Sequence, residues 1–305
     1  MSLTALKDLI KRSRSALMCF VFEALYGPRQ KEWAVVCSPR AGLGDTHMIS
    51  SLASSFLSIH RGDRFVIYAK ESHRPIVESF PSARYKKLPR WFKPGVVQNP
   101  RFDRRIIYAI FPEEIIRALG YKGFNLMDAY KTLFKLPFDV TPATPRAGTA
   151  REIEDAAAFL QRHDLPEGRS AIIAPEANSS PGLDIAFVTT LAEKLRSEGF
   201  KIYIHSLKGM KIPETMTGAI PLGIFRHVTE RAGMLISVRS GLCDILSGSK
   251  CKLIVLYPKV RWHFGTLYDE TNLRSLGLSS TAHEIELDDD PKLAEKIANI
   301  ALKSK

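Results

Sequence analysis

Apolar positions along the chain fall into two kinds of run. Short continuous ones, at Trp33–Ser38, Arg64–Ala69, Ala171–Ala174, Lys201–His205, Met234–Val238 and Lys252–Tyr257, have the length and β-branched character of strands buried on both faces. Longer ones carry an apolar residue every third or fourth position. Met48, Leu52, Phe56 and Ile59 share one face of a helix predicted over Thr46–Ile59. Arg151–His163, Phe187–Glu198, Phe225–Ala232 and Pro291–Leu302 also read as helices, the second of them ended by Gly199. Tyr85–Leu88 and Arg105–Ile110 are briefer strands, and Pro75–Phe80 is a short helix. Strands alternating with helices predict parallel sheets joined by right-handed crossovers. Thr141–Gly148, broken by Pro142, Pro145 and Gly148, reads as a linker. The expected architecture is therefore α/β, with two doubly wound, Rossmann-like domains, 1–147 and 148–305, facing a cleft. No repeat of solenoid length is present.

Charge changes this picture. The chain of 305 residues has a formal net charge of +12. Residues 1–150 hold 24 Lys/Arg against 12 Asp/Glu, whereas the remainder is balanced at 20 against 20. The excess is densest from Arg84 to Arg105, where Arg84, Lys86, Lys87, Arg90, Lys93, Arg101, Arg104 and Arg105 face a single Asp103. Such a stretch suits an anionic membrane, a phosphorylated acceptor or nucleic acid, or is simply a solvated face. Thr4–Leu25 reads as a basic amphipathic helix that packs on the first domain or lies on a membrane surface. No run reaches the ~20 apolar residues that span a bilayer. Cys19, Cys37, Cys243 and Cys251 show no metal-ligand spacing, and a reduced, cytoplasmic protein is the simplest account.

Open parallel sheets bind ligands at the carboxyl ends of their strands, and two segments fall there. In Arg40-Ala41-Gly42-Leu43-Gly44-Asp45, Gly42 and Gly44 let the backbone approach a ligand. Asp45 stands at the start of the helix, either as a helix cap or as a carboxylate presented to substrate. His47 follows it, as an assistant to Asp45 or a helix-face residue. The loop is neither GxGxxG nor GxxxxGK[ST], which argues against dehydrogenases and P-loop NTPases. In Val238-Arg239-Ser240-Gly241-Leu242-Cys243-Asp244, the Ser240-Gly241 turn offers amides to a diphosphate and Arg239 a guanidinium that grips phosphate oxygens. Asp244 orients Arg239 or accepts from a ribose or base. Glu176 and Ser206 end other strands of this half, where they line a donor pocket or serve as loop residues. Trp262-His263-Phe264 stacks on a base or sugar, or packs a crossover.

These two motifs, in this order and spacing, resemble those of bacterial lipopolysaccharide glycosyltransferases of the heptosyltransferase type, which have the GT-B fold. The resemblance implies an inverting, metal-independent transferase without a cofactor, moving a sugar from a nucleotide-sugar donor to a cell-envelope glycan or glycolipid that is anionic or not. It implies Asp45 as general base, with Arg40, Gly42, Gly44 and His47 around the acceptor. Arg239, Ser240, Gly241, Asp244, Glu176 and Ser206 would bind donor. Two positions depart from the family pattern: Arg239 stands where the family carries aspartate, and Asp244 where it carries histidine. The family's lysine after the first strand of this half has no counterpart in Ala174–Pro181. The expected location is cytoplasmic, or peripheral on the inner face of the cytoplasmic membrane. Nucleic acid is not the expected partner, because no recognised binding signature accompanies the basic stretch. A nucleic-acid-binding protein using Arg84–Arg105 and a non-catalytic GT-B-like binding subunit are the competing readings.

Overall fold

The computed structural model describes residues 3–29, 31–92, 102–109, 123–262 and 265–303. The chain divides into two compact units, Met1–Arg146 and Ala147–Lys305. Every pairing among the ten described strands is parallel.

In the first unit, β1 (Glu32–Cys37), β2 (Arg64–Ala69), β3 (Ala83–Lys87) and β4 (Ile106–Ala109) form a sheet in the order β3-β2-β1-β4. The basic helix α1 (Leu3–Tyr26) packs on this sheet. Cys19 and Phe22 on its inner side join Ala34, Val36, Val66, Tyr68, Ile106 and Tyr108 in one apolar cluster. Tyr68 donates to the Tyr26 carbonyl at 2.8 Å, and Glu23 accepts from Arg104 at 2.8 Å.

The helix predicted over Thr46–Ile59 is two, α2 (Leu43–Ser51) and α3 (Ala53–His60). Ser50 and Ser51 donate their hydroxyls back to the carbonyls of Thr46 and Met48, a habit that bends helices. Beyond them lie α4 (Arg74–Glu78) and α5 (Leu126–Leu133).

The second unit has six strands, β5 (Ser170–Ala174), β6 (Lys201–His205), β7 (Met216–Gly218), β8 (Gly233–Val238), β9 (Lys252–Tyr257) and β10 (His283–Glu286), in the order β10-β9-β8-β5-β6-β7. Its helices are α6 (Ala150–Arg162), α7 (Ile185–Ser197), α8 (Leu222–Ala232), α9 (Gly241–Leu246), α10 (Leu267–Thr271) and α11 (Leu293–Leu302). Val188, Leu191 and Leu195 of α7 and Ile297 of α11 pack with Ile173, Ile204, Ile236 and Ile254. Phe159 of α6 meets Tyr203, and Phe225 of α8 meets His205, edge to face. Strands covered on both faces read as continuous apolar runs, the pattern seen in the sequence. Gly233 closes α8 at φ 105°, where an added Cβ would come within 3.1 Å of the Gly168 Cα. A side chain there is strained and crowded.

Candidate active site

In the six-stranded sheet the chain runs outward through β5, β6 and β7, then crosses back to place β8 on the other side of β5. The loops after β5 and β8 therefore diverge, and the crevice at such a switch point is where these sheets bind nucleotides. Here the two loops are tied, because Ser180 donates its hydroxyl to the Arg239 carbonyl at 3.3 Å.

Arg239 is buried. Its Nε donates to the Thr271 carbonyl at 2.8 Å, and its Nη1 to the Ser240 carbonyl at 2.6 Å. The guanidinium also holds Asp244 in a fork, Nη1 to Oδ2 at 3.1 Å and Nη2 to Oδ1 at 2.8 Å. Burial alone would lower the Arg239 pKa, but Asp244, Tyr257 and Cys243 together offset it and raise the value. The guanidinium thus braces the turn from inside. Four of its five N–H donors go to protein oxygens, which leaves one for a phosphate. Asp244 holds Arg239 in this orientation.

Ser240 precedes α9 in extended conformation (φ −152°, ψ 170°). Its Oγ is buried without a hydrogen-bond partner, and a buried polar atom left in that state is costly. Gly241 opens the helix behind it.

Glu176 and Ser206 come together, with the Ser206 hydroxyl donating to Oε1 at 2.6 Å. The other carboxylate oxygen accepts from the amides of Leu207 and Lys208 at 3.1 and 3.2 Å. The pair clips the loop after β5 to the loop after β6. Ser206 is buried, and its Oγ also accepts from the Met210 amide at 2.8 Å. Next to it, His205 accepts the Ile220 amide on Nδ1 at 3.1 Å. Burial lowers the His205 pKa to about 4, against the opposing pull of Glu176.

The first unit presents Asp45 in the first turn of α2. Its Oδ2 accepts the Gly42 amide at 2.7 Å, and its Oδ1 accepts the Tyr130 hydroxyl at 2.8 Å. The carboxylate is half-buried and keeps one lone pair on each oxygen. Lys70 donates to the Ala41 carbonyl at 3.1 Å, which anchors the loop before the helix. Thr46 bonds the Nδ1 of His73 at 2.7 Å. Burial, then the Lys70 charge, holds the His73 pKa at about 4. His47 lies buried with its ring edge-on to Phe80, the helix-face alternative. Arg40 is exposed. Tyr130, Lys70 and His73 are residues here that the sequence did not single out.

Among the described residues of the basic stretch, the basic side chains differ in their surroundings. Arg84, Lys87 and Arg90 are exposed, Lys86 sits over the Tyr68 ring, and Arg104 is paired with Glu23. Lys93 and Arg101 lie outside the described residues, as do His263 and Phe264. Among the described residues no three His, Cys, Asp or Glu are grouped to hold a metal ion.

Several solved structures share this fold. An E. coli ADP-heptose lipopolysaccharide heptosyltransferase II superposes with a TM-score of 0.62 at 13% identity, over 88% of this chain and 96% of that one. A family 9 glycosyl transferase from Veillonella parvula gives 0.55 at 13% identity, over 90% of each chain. An E. coli heptosyltransferase bound to ADP-2-deoxy-2-fluoro heptose gives 0.54 at 12% identity, over 88% and 98%. The fold is that of a GT-B glycosyltransferase. No family model matches the chain, and no curated protein matches it in sequence. In this chain the residues at 239 and 244 are each other's partner.

Two predictions follow from these contacts. Asp244→Asn leaves the Arg239 charge buried without a counter-ion, and is expected to destabilise the second unit by about 3 kcal/mol or more. The double change Arg239→Met with Asp244→Leu should cost much less, both read from urea unfolding. His205 is neutral in the fold and protonates more readily once unfolded. Its contribution is therefore complete above the ordinary histidine value of 6.5 and is lost as pH falls toward 4. His205→Gln, which keeps an acceptor for Ile220, should flatten stability against pH in that window. An unchanged slope would remove His205 from the account.

Proposed function

We propose that the chain is an inverting glycosyltransferase that takes a sugar from a nucleotide diphosphate donor without an obligatory metal and delivers it to a cell-envelope glycan or glycolipid. The observation that carries this is the switch point of the six-stranded sheet, with the orphaned Ser240 hydroxyl at its edge. A donor phosphate or ribose hydroxyl would satisfy that atom, and the Ser240-Gly241 backbone would lie along the diphosphate, with Arg239 and Asp244 keeping the turn in shape. Glu176 and Ser206 would shape the rim rather than bind directly. The likeness to heptosyltransferases with ADP-linked ligands supports a nucleotide-sugar donor, while the exchange at 239 and 244 argues for a donor other than theirs.

On this reading Asp45 is the general base. The acceptor hydroxyl oxygen attacks the anomeric carbon as the bond from that carbon to the diphosphate oxygen breaks. The hydroxyl proton passes to a free lone pair of Asp45, and the nucleoside diphosphate leaves with the bonding electrons. Tyr130 and the Gly42 amide fix the carboxylate in advance, which is where general-base efficiency comes from.

Asp45→Asn should lower transfer about 10²- to 10⁴-fold with donor affinity little changed. The donor is found first by thermal shift against ADP-, GDP-, UDP-, dTDP- and CMP-linked sugars. Transfer that survives Asp45→Asn contradicts the base role, and a chain that no nucleotide-sugar stabilises contradicts the transferase itself.

A further inference from the structure

The outer side of α1 carries an apolar stripe that the fold leaves uncovered. Helical spacing puts Ser15, Cys19, Phe22 and Tyr26 against the sheet and turns Leu17, Phe20, Val21, Ala24 and Leu25 the other way. Leu17, Phe20 and Leu25 are 63%, 62% and 66% exposed. Isolated exposed leucines need no explanation, but a contiguous stripe of large side chains marks an interaction surface. A second segment extends it. Trp91, from the loop after β3, is itself exposed and packs its ring 6.5 Å from Phe22 and 6.2 Å from Tyr26.

Charge decides what the stripe faces. Lys7 and Arg14, exposed, precede Val21 by two heptads and one, so they continue the stripe toward the amino end of the helix. Arg29 lies just beyond the carboxyl end, and Arg90 adjoins Trp91; both are exposed. The carboxylate of Glu23 is turned inward to Arg104 and Tyr108. A second copy of the chain would set these cations against one another, and a nucleic acid would have no use for the aliphatic side chains. No helix among the described residues is long and apolar enough to cross a membrane.

We propose that α1 and Trp91 form a peripheral membrane-docking face for an anionic leaflet. Leu17, Phe20, Val21 and Leu25 enter the boundary between headgroups and acyl chains, Trp91 lies at headgroup level, and Lys7, Arg14, Arg29 and Arg90 meet lipid phosphates. The helix is already anchored to the sheet by Cys19 and Phe22, so docking needs no unfolding. The inference does not depend on the donor or base assignments.

The test is flotation of the full chain with vesicles of phosphatidylcholine alone, or with about one third phosphatidylglycerol, at low and high salt. The wild-type chain should float with the anionic vesicles, more weakly as salt rises. Phe20→Glu with Leu25→Glu should reduce partitioning about tenfold or more, without altering the melting temperature or nucleotide-sugar binding. Arg14→Glu should weaken it on anionic vesicles. Three results would overturn the proposal: no flotation with anionic vesicles, flotation that the double variant leaves intact, or a stable dimer in solution that the double variant converts to monomer.

Discussion

All strand pairings among the described residues are parallel, and much else follows from that constraint. A parallel strand cannot be joined to its neighbour by a tight turn, so every step needs a crossover over one face. Helices then cover both faces, the strands lose their solvent side, and their sequences become continuous apolar runs. The chain must also reverse direction within the sheet, since β8 lies beside β5 and not beside β7. That reversal opens two loops away from each other at the ends of buried strands. Polar side chains gather there because backbone emerging from an apolar core needs partners.

The way these partners are used separates brace from site. Glu176 and Ser206 satisfy each other and nearby amides. Arg239 and Asp244 do the same across the start of α9. A buried pair of that kind holds geometry, and its net contribution to stability is small while both members remain. What the bracing leaves is a shaped turn with the Ser240 hydroxyl unpartnered. In the first unit the equivalent shaping falls on Asp45, held on one side by its own helix and on the other by Tyr130. Both are rigid supports that leave some hydrogen-bonding capacity unspent.

The fold class was legible because apolar runs and helical periodicity both report burial, which dominates here. Two elements with little burial were not. The edge strands β7 and β10 have no fully buried residue and so carry no apolar run to read. Helix α5 went unread although Asn125 and Asp128 form a capping box, a local signal that was present. Two serines at 50 and 51 marked the break between α2 and α3. Site residues divide the same way. Asp45, Glu176, Ser206 and Arg239 could be placed at strand ends because strand ends are local features. Their partners could not, because Tyr130 lies 85 residues from Asp45 and Thr271 lies 32 from Arg239. A lone arginine in a turn looks wholly available until its distant acceptor is known.

The central claim is that the second unit holds a nucleotide at the switch point between β5 and β8. Hydrogen–deuterium exchange of the full chain, with and without saturating ADP, GDP or UDP, tests it most directly. The account predicts that whichever nucleotide binds slows exchange in residues 175–183 and 238–242. Protection confined to the loop around Asp45, or to neither segment while the nucleotide is bound, would contradict it.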